Sequence, residues 1–207
     1  MLLSAAAPLT DAPSVRDQLQ DRIRSMQATR LDERALPMLP AVAGLIPGGL
    51  RQGSVYSITG STTLAMALIA APSAQGAWCG VLGLPDFGTE AAAHWGIDLD
   101  RLVLVADPGR RWMTVAAAMT DVLSVVVAHS PERTSPADAS RLAARLRQRG
   151  STLIVLGDWP GADARLRVVG SGWSGLGHGY GHLTHRRLEV QADSRVGVHR
   201  KQLELAG

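Results

Sequence analysis

Residues 54–159 alternate between short apolar runs of strand character and longer runs of helical character, and few folds accommodate that order. "SVYSITG" is followed by "TTLAMALIAA", with Pro72 as its expected stop, "AWCGVLGL" by "GTEAAAHWG", and "RLVLVAD" by "RWMTVAAAMTD". "VLSVVVAH" is followed by "PADASRLAARLRQRG", and "STLIVLGDW" closes the series. Five apolar strands separated by helices imply βαβ crossovers and a mostly parallel sheet covered on both faces, an α/β fold. In the fourth helix Ala139, Leu142, Ala143 and Leu146 take the inner face and Arg141, Arg145 and Arg149 the outer one, with Gly150 as the C-terminal stop. Trp78, ahead of a strand, and Trp112, within a helix, read as core.

After Trp159 the period changes. "ARLRVVGSGW" and "HLTHRRLEVQ" alternate apolar and polar residues around the glycine-rich "SGLGHGYG", and "SRVGVHRKQLEL" follows. These read as antiparallel edge strands extending the sheet. At the other end, residues 14–27 place Val15, Leu19, Ile23 and Met26 on one stripe of a charged helix, with Ser14 as a cap. A proline-marked connector, "LPMLPAVAGLIPGG", separates that helix from the rest. The expected organisation is an N-terminal arm over residues 1–35 and a core with a C-terminal β-hairpin extension over 36–207. The stripe of Leu19, Ile23 and Met26 serves either packing on its own domain or a partner.

With 207 residues, 46% of them hydrophobic, the chain can bury a sizeable core in one domain. Its one cysteine, Cys79, excludes an internal disulfide framework and a multi-cysteine metal site, and fits a reducing cytoplasm. No run approaches the roughly 18 apolar residues that a membrane span needs, so a soluble, cytoplasmic chain is expected. The net charge of +3 is unevenly spread. Residues 164–203 carry seven basic residues (Arg165, Arg167, Arg186, Arg187, Arg195, Arg200, Lys201) against two acids, a local charge of +5. Either a nucleic-acid or acidic partner or a solvated strand face accounts for it.

The opening strand, glycine turn and helix look like the start of a nucleotide-binding domain. A phosphate loop of the form GxxxxGK[ST] needs backbone N–H groups to wrap the phosphates, a lysine for their oxygens and a hydroxyl for the metal. Here Gly60 is followed directly by Ser61, Thr62 and Thr63, with no second glycine and no lysine; the chain's one lysine is Lys201. The missing charge-assisted hydrogen bonds are worth roughly 1.5–3 kcal/mol each, enough to remove micromolar nucleotide affinity. A short turn in which Ser61 or Thr62 caps the helix is the expected structure.

The stretch "GLIPGGLRQGSVYSITG" with "TTLAMALIAA" resembles the opening of the RecA superfamily. "HWGIDLDRLVLVADP" and "RLAARLRQRGSTLIVLGDWPGADARLRV" resemble that family's later segments. Together with "GWSGLGHGYGHLTHRRLEV" the likeness, over residues 44–190, is closest to the ImuA-type accessory proteins of actinobacterial translesion synthesis. The resemblance implies a RecA-like, mostly parallel sheet flanked by helices. It also implies residues for ATP hydrolysis that this chain lacks. The water-activating glutamate falls at Leu84 or Pro85, and the magnesium-binding aspartate at Ala128 or His129; Asp86, Glu90 and Glu132 are the nearest acids. The family's DNA-binding loop is reduced to "DWPGA". No catalytic residue, metal or cofactor is expected.

His178, His182 and His185 lie among glycines that disfavour a helix, so a zinc site is not expected. "GLGHGYG" does not match the dinucleotide fingerprint GxGxxG. Trp159 and Trp173, in glycine-rich surroundings, are candidate anchors for a partner or a base. Arg165, Arg167, Arg186, Arg187, Arg195 and Arg200 are the candidate phosphate contacts for weak, sequence-independent DNA binding. The resemblance implies as partners an ImuB-like subunit related to Y-family polymerases and an error-prone C-family polymerase, and admits homo-oligomerisation through the N-terminal helix. The expectation is a non-catalytic adaptor of the DNA-damage-induced mutasome. The alternative is a SulA-like inhibitor of cell division that binds a tubulin-like protein.

Overall fold

The computed structural model describes residues 34–131, 133–174 and 185–206. Leu19, Ile23 and Met26 of the N-terminal stripe, Glu132, His178 and His182 lie outside the described residues. The elements are β1 (Val55–Thr59), α1 (Thr62–Ala74), β2 (Cys79–Leu82), α2 (Thr89–His94), β3 (Leu102–Val105), α3 (Trp112–Val122), β4 (Val125–His129), α4 (Pro136–Arg149), β5 (Thr152–Leu156), β6 (Ala164–Ser174), β7 (His185–Ser194) and β8 (Gly197–Ala206). They build an α/β fold on one eight-stranded sheet in the order β3-β2-β4-β5-β1-β6-β7-β8.

The pairing corrects one expectation. β6 is not antiparallel to the strands before it: it runs parallel to β1, and only β7 and β8 are antiparallel to their neighbours. The reason lies in the short connection after β5, which carries the chain past β1 and back to the end of the sheet at which β1 begins. Asp163 fixes that entry. Its N–H donates to the Val55 carbonyl at 2.8 Å and its carboxylate accepts from the Val55 N–H at 3.0 Å.

Alternation along the central strands feeds two cores. In β5, Leu153 and Val155 face the layer of α3 and α4, while Ile154 and Leu156 face the layer of α1. α1 is apolar all round because it lies under both the sheet and the segment before β1, whose Val42, Leu45, Ile46 and Leu50 are buried. The proline-marked connector is thus core rather than spacer. Pro72 does not stop α1 either, since the helix runs on to Ala74. A proline in the last turn removes a single intrahelical bond, and the turn closes beyond it through Gln75 N–H on the Ala71 carbonyl. Gly150 ends α4 in the left-handed conformation, φ 70°, as its position implies. Trp78, read as core, is instead 48% exposed, because it precedes β2 at the rim of the sheet.

β6, β7 and β8 are covered on one face. Leu166, Leu188, Val190, Leu203 and Leu205 are buried toward α1, whereas Arg165, Arg167, Arg187, Arg200, Gln202 and Glu204 stand exposed on the other side.

Outside the core, α3 is clamped to α4. Arg145 Nε donates to Asp121 at 2.6 Å and Arg149 Nε at 3.2 Å. The Arg145 hydrogen bond, reinforced by both positive charges, holds the Asp121 carboxyl at about 2. A folded value below the ordinary carboxylate range of about 3.9 means a contribution fully present above that pH and lost as pH falls through about 2. Carboxyl NMR titration should find Asp121 in that low range, and Arg145→Ala should return it toward the ordinary value. An unchanged titration in the variant would remove Arg145 as the cause.

Candidate functional site

In open α/β sheets, ligands gather outside the carboxyl ends of the strands where successive connections diverge. Here β1 leads through α1 to one side of the sheet, while its neighbour β5 leads to the other. The turn at the end of β1 therefore occupies the position where a phosphate site would be built.

That turn is closed as an ordinary helix start. Gly60 adopts φ 94°, and a Cβ there would come within 3.3 Å of the Val168 side chain. The next residue, Ser61, is the cap of α1, and its hydroxyl accepts from the Leu64 N–H at 3.1 Å. Thr62 is exposed. The Thr63 hydroxyl accepts from Arg186 Nη1 at 2.9 Å. So a cation does stand beside the helix N-terminus, brought by β7 from 123 residues away. Arg186 also donates weakly to Ser171 Oγ at 3.4 Å, and its guanidinium lies 5.2 Å from the centre of the Trp173 ring. Arg186 thus makes one close and one weak hydrogen bond within the fold.

A cleft of about 290 Å³ opens beside this turn, lined by Gly60, Ser61, Leu84, His129 and Gly157. Neither Leu84 nor Pro85 supplies a base at the end of β2. Two larger clefts, about 490 and 540 Å³, meet at Ser130 and Pro131. Ser130 Oγ bridges β4 to β5 by donating to the Asp158 carbonyl at 2.9 Å. Among the described residues, no group of three His, Cys, Asp or Glu could hold a metal ion. No described helix is long and apolar enough to cross a membrane.

The two candidate tryptophan anchors are placed differently. Trp159 is 2% exposed and packs against Trp112, ring centres 5.6 Å apart and planes tilted by 37°. The Trp112 indole in turn donates to the His129 carbonyl at 2.9 Å, so this pair holds the β4 end from below. Trp173 is 51% exposed at the end of β6.

The remaining arginines are interleaved with acids. Arg187 pairs with Glu204 at 3.0 Å, Arg195 with Asp163 at 3.7 Å and Arg200 with Glu189 at 4.0 Å. Arg165 and Arg167 have no carboxylate within ion-pair distance among the described residues. The local charge of the sequence segment is thus a mixed face, with Glu204 just beyond the counted residues as one of its acids. Such exposed pairs hold little energy individually, but they lower the positive potential offered to a phosphate chain.

Sequence reasoning missed Arg186 as a neighbour of α1, Val168 as the side chain beside Gly60, and Asp163 as the guide of β6. Only Asp163, an acid just ahead of an apolar strand, left a local signal. Comparison with known proteins finds a 38% identical stretch of 133 residues in the uncharacterized protein Rv3395c of Mycobacterium tuberculosis. That stretch covers 61% of this chain and 65% of the relative, just under two thirds of its length. The family described as the MT3502 N-terminal domain matches residues 44–161, from the segment before β1 to the loop after β5 and more than half of the chain. This α/β protein belongs to the MT3502 N-terminal domain family.

Proposed function

We propose that the chain is a RecA-like, ImuA-type adaptor that helps assemble the DNA-damage-induced translesion complex in the cytoplasm, without nucleotide chemistry of its own. The observation that carries this reading is the turn at the end of β1. The hydroxyl that would hold a metal is the helix cap, a Cβ at Gly60 would stand 3.3 Å from the Val168 side chain, and Arg186 beside the helix N-terminus is bonded to Thr63 and lies over the Trp173 ring. The resemblance of the opening turn to the RecA superfamily and the parallel sheet with antiparallel strands at its C-terminal end support the same reading. The partners it implies are an ImuB-like subunit and an error-prone C-family polymerase. Direct DNA contact would rest chiefly on Arg165 and Arg167, so it would be weak, indifferent to sequence and steeply salt-dependent.

Calorimetry with Mg-ATP and capture of partners from DNA-damaged cells test the two halves of the proposal. The expected results are no binding tighter than about 100 μM, which is roughly 5.5 kcal/mol, and recovery of a polymerase-related subunit. Tighter ATP binding would overturn the non-catalytic half. Recovery of a tubulin-like protein in place of a polymerase subunit would favour a division inhibitor.

A further inference from the structure

The sheet ends in two edges of different character. β3 is four residues long. β8 is ten residues long and pairs with β7 without a break from Ser194↔Gly197 to His185↔Ala206. On its other side it has no neighbouring strand among the described residues. Long open edges are normally blunted by a proline, a bulge or an inward-pointing lysine. β8 has no proline and no bulge; Lys201 does point to the covered face, but its charge is engaged there with the Ala43 carbonyl, which leaves the backbone edge itself unobstructed among the described residues.

Two separate patterns in β8 select one way of using that edge. The first is hydrogen-bond phase. A two-residue turn, Arg195 and Val196, joins β7 to β8, which makes Ser194 and Gly197 a bonded pair. Bonded and non-bonded pairs then alternate, so Val198, Arg200, Gln202 and Glu204 stand at non-bonded pairs and direct their N–H and C=O groups to the open side. The second pattern is charge. Arg200 and Glu204 lie at equal distances on either side of Gln202, with their side chains exposed on the uncovered face of the sheet.

We propose that β8 pairs with β8 of a second copy of this chain, antiparallel across a two-fold axis at Gln202, and so joins two eight-stranded sheets into one. In that register Gln202 meets Gln202 of the second copy as a bonded pair, which its phase requires. Arg200 faces Glu204 of the second copy, and by symmetry the same ion pair forms twice. Neighbouring registers lose this match. An axis at Arg200, Lys201 or Glu204 sets like charges opposite each other, and an axis at Leu203 leaves Arg200 facing Ala206. The occupant is a second copy because the edge carries its own complement: Arg200, 4.0 Å from Glu189, and Glu204, paired with Arg187, would each gain a second opposite charge across the axis. The inference goes beyond the adaptor reading and does not depend on it.

Sedimentation equilibrium of the full chain, from about 1 to 100 μM, tests the proposal. A concentration-dependent monomer–dimer equilibrium is expected. Gln202→Pro removes an N–H that faces the open side and none that bonds β7, so the thermal transition should persist while association weakens by about 100-fold. Arg200→Glu should weaken association about tenfold, and adding Glu204→Arg should restore it. If the proline variant unfolds, the charge reversal and its rescue decide, since they leave the backbone ladder intact. A chain that stays monomeric throughout, or a dimer indifferent to the reversal, overturns the proposal.

Discussion

Trp159→Ala is expected to cost about 3–5 kcal/mol of folding stability, the usual range for deleting a fully buried aromatic side chain. Its ring is 2% exposed and belongs to the core formed by α3, α4 and the sheet, stacked at a tilt on Trp112. Domains of this kind have about 5–15 kcal/mol in total, so the variant should be close to the limit of folding at 37 °C. Chemical denaturation measures it. A loss below about 1 kcal/mol would mean that the ring is not the packing element its burial makes it, and would return Trp159 to the set of partner contacts.

Trp173→Ala should show the opposite profile. Its ring is half exposed, and its recorded partner is the Arg186 guanidinium, an exposed stacking contact worth about 0.5–1 kcal/mol. Stability should therefore fall by no more than about that amount. If the proposed polymerase-related partner docks here, its binding should fall by about 2 kcal/mol, roughly 30-fold, because interface hot spots are enriched in tryptophan. Titration of the partner by calorimetry or fluorescence reads the effect. Unchanged affinity would move the partner surface away from the end of β6, and the arginine face of α4 would be the next to vary.

The contrast between the two tryptophans shows what the sequence carried and what it did not. Both sit between glycines, and local composition could not separate them. The difference arises because the loop after β5 folds under the β4 end onto Trp112, whereas β6 runs on past the sheet's covered part. The alternation of strands and helices was legible because the strands are continuous apolar runs, such as Leu153 to Leu156, while α4 carries a one-sided apolar face closed by Gly150. The cap of α1 was equally local, since Ser61 needs only Leu64. What escaped depends on partners far along the chain. The parallel direction of β6 follows from a crossing over β1, the exposure of Trp78 from where the rim falls, and the place of Arg186 from a contact spanning 123 residues. The positive segment was visible as composition, but its neutralisation by Glu189, Asp163 and Glu204 required the register of β6, β7 and β8.

The position of β1 between β5 and β6 has a consequence for synthesis. Val55 pairs with Leu153, and Tyr56 with Ile154 and Ala164, so the first strand to leave the ribosome gains its neighbours only after about a hundred further residues have been added. At about 5–20 residues per second that interval is roughly 5–20 s. Meanwhile β2, β3 and β4 can pair among themselves, since their registers join residues close along the chain. The nascent chain thus carries a finished three-stranded unit beside an unpaired β1, and the almost wholly apolar α1 can pack on β2 and β4 but still lacks the cover that β5 and the later strands supply. That interval is when a chaperone has the most surface to hold, and when aggregation competes best with folding.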